Sequence, residues 1–430
     1  MRVTSWLFIG VIAAIGVSTS AAAQAVQHLT LKEAEQQALQ SHPAIRASEY
    51  SARAAGQTVR EVRSAYFPTV FANFTGAQAQ DGSRITAGGL NNPLIFDRFA
   101  VGFSVSQMVT DFGRTHDLVA SASLKADAQE QQVTVRRADV LLQVDRAYFA
   151  ALRAKAVQRV AEETVEARQL VVDQVTALAA SNLKSSLDVS FANVSLAEAK
   201  LLLVQARNEV LSAYATLSAT LGGTRSLAYD LQDEPLPPSP PADAGALVAE
   251  AMRERPDVAS ARFSRESASM LADAQRALSL PTVSVVGAAG TAPYHQLGLN
   301  NQYSAIGINV SVPVTNGNLY PALRAEATLR ASAEDQSYRD LENQVTRDVQ
   351  IAWLNAQTAF QRLDLTSQLL AQASDALELG QARYNLGLSS IVELTQAQLN
   401  KTQAEIEQAS ARYEYQSQSA ALRFQTGTLK

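Results

Sequence analysis

Two stretches decide the fold: VLLQVDRAYFAALRA at residues 140–154 and VTRDVQIAWLNAQTA at residues 345–359. In the first stretch, small apolar residues recur at alternating steps of four and three: Val140, Val144, Ala147, Ala151 and Ala154. The second stretch repeats this row at an offset of 205 residues (345 − 140 = 205). A seven-residue repeat of small side chains predicts helices that pack closely side by side as a coiled coil.

Long helices surround both stretches. The chain contains neither glycine nor proline from Arg114 to Leu221, nor from Ala322 to Leu379. We therefore predict long helices over about 112–180 and 320–384, each followed by a turn and a returning helix, over about 187–221 and 390–424. A helix of such length is a rod of roughly 100 Å. It is stable only when it packs against other helices.

Strands precede each long helix. Alternation of apolar residues with small or polar ones predicts strands at about 69–79, 98–109, 282–291 and 303–314, separated by loops at 80–97 and 292–302. These two hairpins fit either a soluble sandwich or membrane strands with one face toward lipid. The smallest membrane barrels need about eight strands, so the membrane interpretation requires several copies of the chain.

The chain is an internal duplication. His42-Pro43 and Arg255-Pro256 occupy equivalent places at an offset of 213 residues (256 − 43 = 213), and each proline suits a first helical turn. Residues 24–232 form the first repeat and 242–430 the second. The run DEPLPPSPP at 233–241 joins them as a stiff connector, because its prolines exclude both helix and central strand.

The N-terminus, residues 1–23, has the pattern of a signal peptide. Arg2 precedes an apolar run over 6–17 that is too short to span a bilayer, and Ala21-Ala22-Ala23 fits a cleavage site. The alternative is a membrane anchor. No later stretch approaches the 18 apolar residues of a transmembrane helix.

The composition argues against metal binding, nucleic-acid binding and catalysis. The chain has no cysteine and only four scattered histidines, so we expect neither a metal site nor a cofactor. Its net charge of −5 gives no electrostatic basis for binding nucleic acid. No nucleophile lies in a recognisable catalytic pattern, and we predict that the protein is not an enzyme.

The order of elements resembles the TolC family of outer-membrane efflux and secretion channels. The most specific mark is ARYNLGLSSIVEL at residues 382–394, together with LTLKEA at 29–34 and His42-Pro43. The resemblance implies a mainly α fold with a small β-barrel contribution. It also implies a homotrimer with a twelve-stranded barrel in the outer-membrane lipid and a periplasmic helical tunnel. A periplasmic adaptor protein and an inner-membrane transporter are the implied partners. The alternative is an exported coiled-coil structural or interaction protein.

The resemblance also implies a gate at the periplasmic turns. Glu393 occupies its first acidic ring position, Gln396 its second, Asp188 the acidic position of the first turn and Tyr384 its tyrosine position. Ser389 stands where the family has a basic partner, so the gate contacts differ in detail. A ring of carboxylates around a pore selects cations, but Asp188 and Glu393 equally suit solvated helix starts, and Tyr384 suits ordinary packing.

The turns themselves, 181–186 and 384–389, are the candidates for partner contact because they lie farthest from the strands. In the second turn we expect Gly387 to serve backbone geometry, with Lys184 in its place in the first turn. The candidate contact residues are Asn182, Leu183, Ser185, Asn385, Leu386, Gly387 and Ser389.

Overall fold

The computed structural model describes residues 27–78, 84–87, 90–94, 98–223, 229–295, 298 and 300–429. The signal peptide expected at residues 1–23 lies outside them. The helices are α1 Leu31–Ser41, α2 Pro43–Arg63, α3 Arg114–Ala180, α4 Ser186–Thr220, α5 Ala244–Glu254, α6 Pro256–Arg276, α7 Leu319–Asn385 and α8 Ile391–Gln425. The strands are β1 Gln27–Leu29, β2 Thr69–Ala77, β3 Arg84–Ala87, β4 Leu90–Leu94, β5 Arg98–Thr110, β6 Tyr229–Leu231, β7 Thr282–Tyr294 and β8 Gln302–Ser311.

The two repeats have helices of equal length. The long helices α3 and α7 have 67 residues each, and the returning helices α4 and α8 have 35 each. Both rows of small residues, the one beginning at Val140 and the one beginning at Val345, are buried along their whole length. They lie where the long helix packs against its neighbours, which is the role that their seven-residue spacing predicts.

Each long helix is matched by two shorter helices stacked end to end. The end of α4 meets the start of α2, where the Ser41 hydroxyl donates to the Leu221 carbonyl at 2.8 Å. The end of α8 meets the start of α6, where Arg255 Nη1 donates to Gln425 Oε1 at 2.6 Å. Gly427, at φ +76°, lies so near this joint that a Cβ would be 2.9 Å from the Arg255 nitrogen. Only glycine fits that backbone conformation without strain.

The main sheet is antiparallel, with the strand order β2-β5-β7-β8. Its register places the apolar rows on one face, in the cross-strand pairs Val70–Val105, Phe103–Ala289 and Val285–Ile308. Small and polar residues share the other face, in the pairs Asn73–Gly102, Ser104–Ala288 and Ser284–Asn309. Phe71, Val286 and Tyr303 are larger side chains on the polar face, in the pairs Phe71–Ser104, Val286–Gly307 and Gly290–Tyr303. The apolar face is open, since Phe74 and Ile308 are both 74% exposed.

The strands differ from the expectation in three places. The segment 80–97, predicted as a loop, contains the paired strands β3 and β4, and the sequence Gly88-Gly89 between them is a hairpin signal that the loop-like composition hid. Strand β7 continues to Tyr294, beyond the predicted end at 291, because β5 extends far enough to pair Phe99 with it. Strands β1 and β6 pair in parallel over three residues, too few for a periodic signal.

The proline-rich connector lies against the helices of the second repeat. Trp353 Nε1 donates to the Pro241 carbonyl at 2.8 Å, and Gln416 Nε2 donates to the Glu234 carbonyl at 2.8 Å. The Tyr415 hydroxyl donates to the Pro238 carbonyl. Since proline has no N–H, the connector offers mainly acceptors, and these side chains supply the donors.

Candidate functional site

The turns that end the two long helices lie side by side at the far end from the sheet, and each contains one residue in the left-handed region. In the first turn this residue is Asn182, with φ 57°, and in the second it is Gly387, with φ 74°. Their offset, 387 − 182 = 205, is that of the helical rows. The expectation that Lys184 replaces Gly387 is therefore wrong. Asparagine tolerates the left-handed conformation better than other non-glycine residues.

The helices after the turns begin with serine caps. Ser185 Oγ accepts from the Leu187 nitrogen at 3.1 Å, and Asp188 Oδ2 accepts from the Ser185 nitrogen at 3.2 Å. In the second repeat, Ser390 Oγ accepts from the Glu393 nitrogen at 3.3 Å. Asp188 and Glu393 thus occupy the same third position of their helices, where a carboxylate stabilises the helix start.

Tyr384 is already buried within a single copy of the chain. It packs in a cluster with Val171, Val175, Ile391 and Leu394. Its hydroxyl is buried and has no hydrogen-bond partner among the described residues. Burial and then the negative charge of Asp188 raise the pKa of this hydroxyl.

Lys184, which the sequence did not single out for this role, lies over Tyr384. Its Nζ is 4.0 Å from the centroid of the tyrosine ring, a cation–π contact that joins the two turns. Because the chain is duplicated, its two turns are expected to lie side by side. A search for contacts between the two turns would therefore have identified Lys184.

The second acidic candidate has a different neighbour. Glu393 Oε1 lies 3.7 Å from Arg383 Nε, and both side chains are about half exposed. Gln396 is exposed and donates to Asn400 Oδ1 at 2.9 Å, within α8. The structure therefore brings Tyr384, Lys184 and Asp188 together, pairs Glu393 with Arg383, and leaves Gln396 apart.

The turn residues expected to contact partners are exposed, with one exception. Leu183 is 70% exposed and Leu386 is 73% exposed, and Asn182, Ser185, Asn385 and Gly387 are exposed as well. Ser389 is only half-buried as a residue, and its hydroxyl is fully enclosed without a partner in the described chain. It is therefore the least accessible of the candidates.

Neither a metal centre nor a helical membrane span accompanies this site. Within the residues that the structure describes, no three His, Cys, Asp or Glu side chains converge to hold a metal ion. No helix in the described ranges combines the length and apolar character needed to cross a bilayer.

The fold and the site together define a class. A duplicated chain carries an open sheet with one exposed apolar face above paired long helices, as a membrane channel subunit does. The model of the family "outer membrane efflux protein" matches residues 34–223 and 247–428. The chain belongs to this family.

Individual relatives cover nearly the whole chain. The chain is 23% identical to outer membrane protein TolC of Salmonella enteritidis over 427 residues, which are 96% of this chain and 85% of that protein. The solved structure of CusC matches with a TM-score of 0.82 at 18% identity, covering 92% of both chains. The outer-membrane channel OprN matches with a TM-score of 0.81 at 20% identity, covering 92% of this chain and 89% of that one.

Family membership settles three expectations. The resemblance to the TolC family is confirmed, and the protein is an outer-membrane transport protein. Because the family consists of channels that perform no chemistry, the prediction that the chain is not an enzyme is also confirmed.

Proposed function

We propose that three copies of the chain form a passive conduit from the periplasm to the exterior, exported by the signal peptide at residues 1–23. A twelve-stranded barrel would cross the outer membrane and the long helices would form the tunnel below it. The conduit would serve a tripartite efflux or type I secretion system, docking a periplasmic adaptor and an inner-membrane transporter at the exposed turns. Family membership and the open sheet support this proposal.

The observation that carries the proposal is the pair of free edges of the sheet. Strand β2 pairs only with β5, and strand β8 only with β7, among the described strands. In a bilayer, each unpaired backbone group at such an edge costs several kcal/mol. The β8 edge of one copy and the β2 edge of the next satisfy each other, and a closed ring of copies leaves no edge.

The internal duplication predicts the register of this contact. Strand β5 corresponds to β8 at an offset of 205, and β2 corresponds to β7 at 213. The observed pair Ser104–Ala288 therefore translates into Asn309 of one copy opposite Thr75 of the next (104 + 205 = 309; 288 − 213 = 75). Both side chains lie on the polar face of the sheet.

A disulfide tests this register directly, because the chain contains no native cysteine. We expect the double variant Thr75→Cys, Asn309→Cys to form covalent trimers in the membrane on mild oxidation, seen by non-reducing electrophoresis. Directly opposite residues of antiparallel strands have Cα atoms about 4.5–5.5 Å apart, within the Cα separation of about 4.4–6.8 Å that a disulfide spans. The matched control, Thr69→Cys with Asn309→Cys, lies six residues away along the strand. Monomers only, or equal crosslinking in the control, would contradict the proposal.

The gate is the second part of the proposal. Asp188, Glu393 and Tyr384 would close the tunnel at the turns, with the Glu393 carboxylates of the three copies forming the ring that favours cations. The exposed position of Glu393 and the contact of Lys184 with Tyr384 support this assignment. Gln396 carries no charge, so only one acidic ring is proposed.

A further inference from the structure

A groove lies directly beneath the sheet. It has a volume of about 680 Å³ and separates the end of α6 from the first turns of α7. Helix α6 leads through a short turn at Ala277–Ser279 into β7, and α7 begins eight residues after β8 ends (319 − 311 = 8). The groove therefore begins at the level where the membrane-facing strands stop.

The groove is lined by apolar side chains, among them Pro321, Ala325 and Leu329, and by the cationic or polar side chains of Arg276, Arg324, Tyr320 and Gln275. Arg324 is exposed and forms no salt bridge with any described residue. Arg276 uses Nη1 to bond Asp273 Oδ1 at 2.6 Å, and its side chain is 52% exposed. The start of α7 adds its helix dipole and has no acidic residue in its first turn. Two guanidinium groups beside a helix start are a strong site for a phosphate.

The first repeat shows that this chemistry is not a general property of the helices at this level. Arg276 corresponds to Arg63 (276 − 213 = 63), but Arg324 corresponds to Val119 (324 − 205 = 119) and Gln275 to Val62 (275 − 213 = 62). The equivalent place in the first repeat therefore has one arginine instead of two, and no amide.

The position of the groove along α7 indicates whether its phosphate would come from a lipid headgroup or from solution. From the start of α7 to Thr328, its lowest polar lining residue, the helix rises roughly 14 Å. The polar layer of a bilayer leaflet is about 5–8 Å thick, so the upper part of the groove lies at the height of the lipid headgroups next to the helices.

We propose that this groove binds the headgroup of a glycerophospholipid, with the phosphate between Arg276 and Arg324. This inference rests on the placement of the sheet in the membrane under the proposed function. Three such sites would surround the trimer where the sheet meets the helices.

Native mass spectrometry of the trimer, released from nanodiscs of phosphatidylethanolamine, tests the proposal. The wild-type trimer should retain lipid, whereas Arg276→Gln with Arg324→Gln should lower the retained fraction about tenfold, the effect of losing about 1.4 kcal/mol of charge-assisted hydrogen bonding. The single variant Arg324→Gln, which breaks no contact within the described chain, should lower it in the same direction. Arg63→Gln is the matched control and should retain lipid like the wild type.

Two outcomes overturn the proposal. Equal lipid retention in the double variant and in Arg63→Gln would show that the groove does not hold the headgroup. Displacement of the lipid by millimolar inorganic phosphate would assign the groove to a soluble anion instead. The trimer mass in the same spectra reports assembly independently, so failure of the trimer itself is distinguishable from failure of the lipid site.

Discussion

Asp145 is the most unusual titratable residue of the helical region. Its side chain is fully buried on α3, with Arg423 Nη2 of α8 at 3.4 Å and the Glu35 carboxyl of α1 near enough to act on its charge. Burial, followed by the charge and the hydrogen bond of Glu35, raises the pKa of Asp145 from 3.8 to about 8, although Arg423 opposes the change. The equivalent residue of the second repeat, Gln350 (145 + 205 = 350), is exposed, so the buried carboxyl is particular to the first repeat.

We predict that replacing Asp145 by asparagine removes a pH dependence of stability. Because the pKa is higher in the folded than in the unfolded state, the folded state binds more protons. The wild-type trimer should be most stable below pH 4 with respect to this group and should lose stability as the pH rises toward 8, on the order of 1 kcal/mol per pH unit. Thermal unfolding in detergent at about pH 5 and about pH 8 measures the difference.

The Asp145→Asn variant should show a smaller fall in its unfolding midpoint over the same pH interval. Glu35→Gln should reduce the fall as well, since it removes the neighbouring negative charge. An unchanged slope in Asp145→Asn would show that another group controls the pH dependence.

The proposed role of Glu393 can be separated from its local ion pair. Glu393→Ala should weaken cation selectivity in single-channel recordings, because the ring loses its charge. Arg383→Ala should strengthen it, because the carboxylate loses its neutralising partner at 3.7 Å. An exposed pair is worth up to about 1 kcal/mol, so changes of up to about fivefold in the permeability ratio are expected. Unchanged selectivity in Glu393→Ala would reject the ring.

At the scale of single elements, the turns show which structural details can be predicted from the sequence and which cannot. Long runs without glycine or proline, together with the turn segments that follow them, located the long helices within two residues of their observed ends. The turn alignment was wrong by two residues, since Lys184 was placed opposite Gly387, whereas Asn182 holds the equivalent left-handed position. The observed caps are Ser185 and Ser390, and in a run of two serines only the backbone conformation shows which one caps the helix.

The contacts of the turns required the structure. Val171 and Ile391 are far apart in sequence, yet both pack on Tyr384. A coiled-coil pattern predicts that helices meet but not which pair of helices does so. The cation–π contact of Lys184 depends on that choice, and for this reason the residue was assigned to backbone geometry instead.

We predict that joining the two turns keeps the conduit closed. Asn182→Cys and Asn385→Cys, linked by a short bifunctional maleimide, should hold single-channel conductance at its lowest level, because opening requires the turns to separate. Cleaving the linker should restore current. The same reagent on Asn182→Cys alone is the control, and full conductance in the linked double variant would contradict gating at the turns.

At the scale of the whole molecule, the internal duplication was the most informative property of the sequence. It linked the two strand pairs and the two helix pairs, and it still predicts the contact between copies through the Ser104–Ala288 pair. The strand order within the chain was not predictable in the same way. Whether β5 pairs with β7 depends on how the two repeats are placed against each other, and this placement is set by contacts outside the strands.

The proline-rich connector fixes the spacing between the two repeats of the chain. Extended proline-rich chain spans about 3.1 Å per residue, and hydrogen bonds from Trp353 and Gln416 fasten both ends of this one. It thus fixes the position of one repeat relative to the other along the helix axes. A misplacement of about 3.3 Å is one strand residue and would turn every side chain of a strand to the opposite face. Under the proposed function, a segment packed on the helices therefore helps to decide which strand side chains face the lipid.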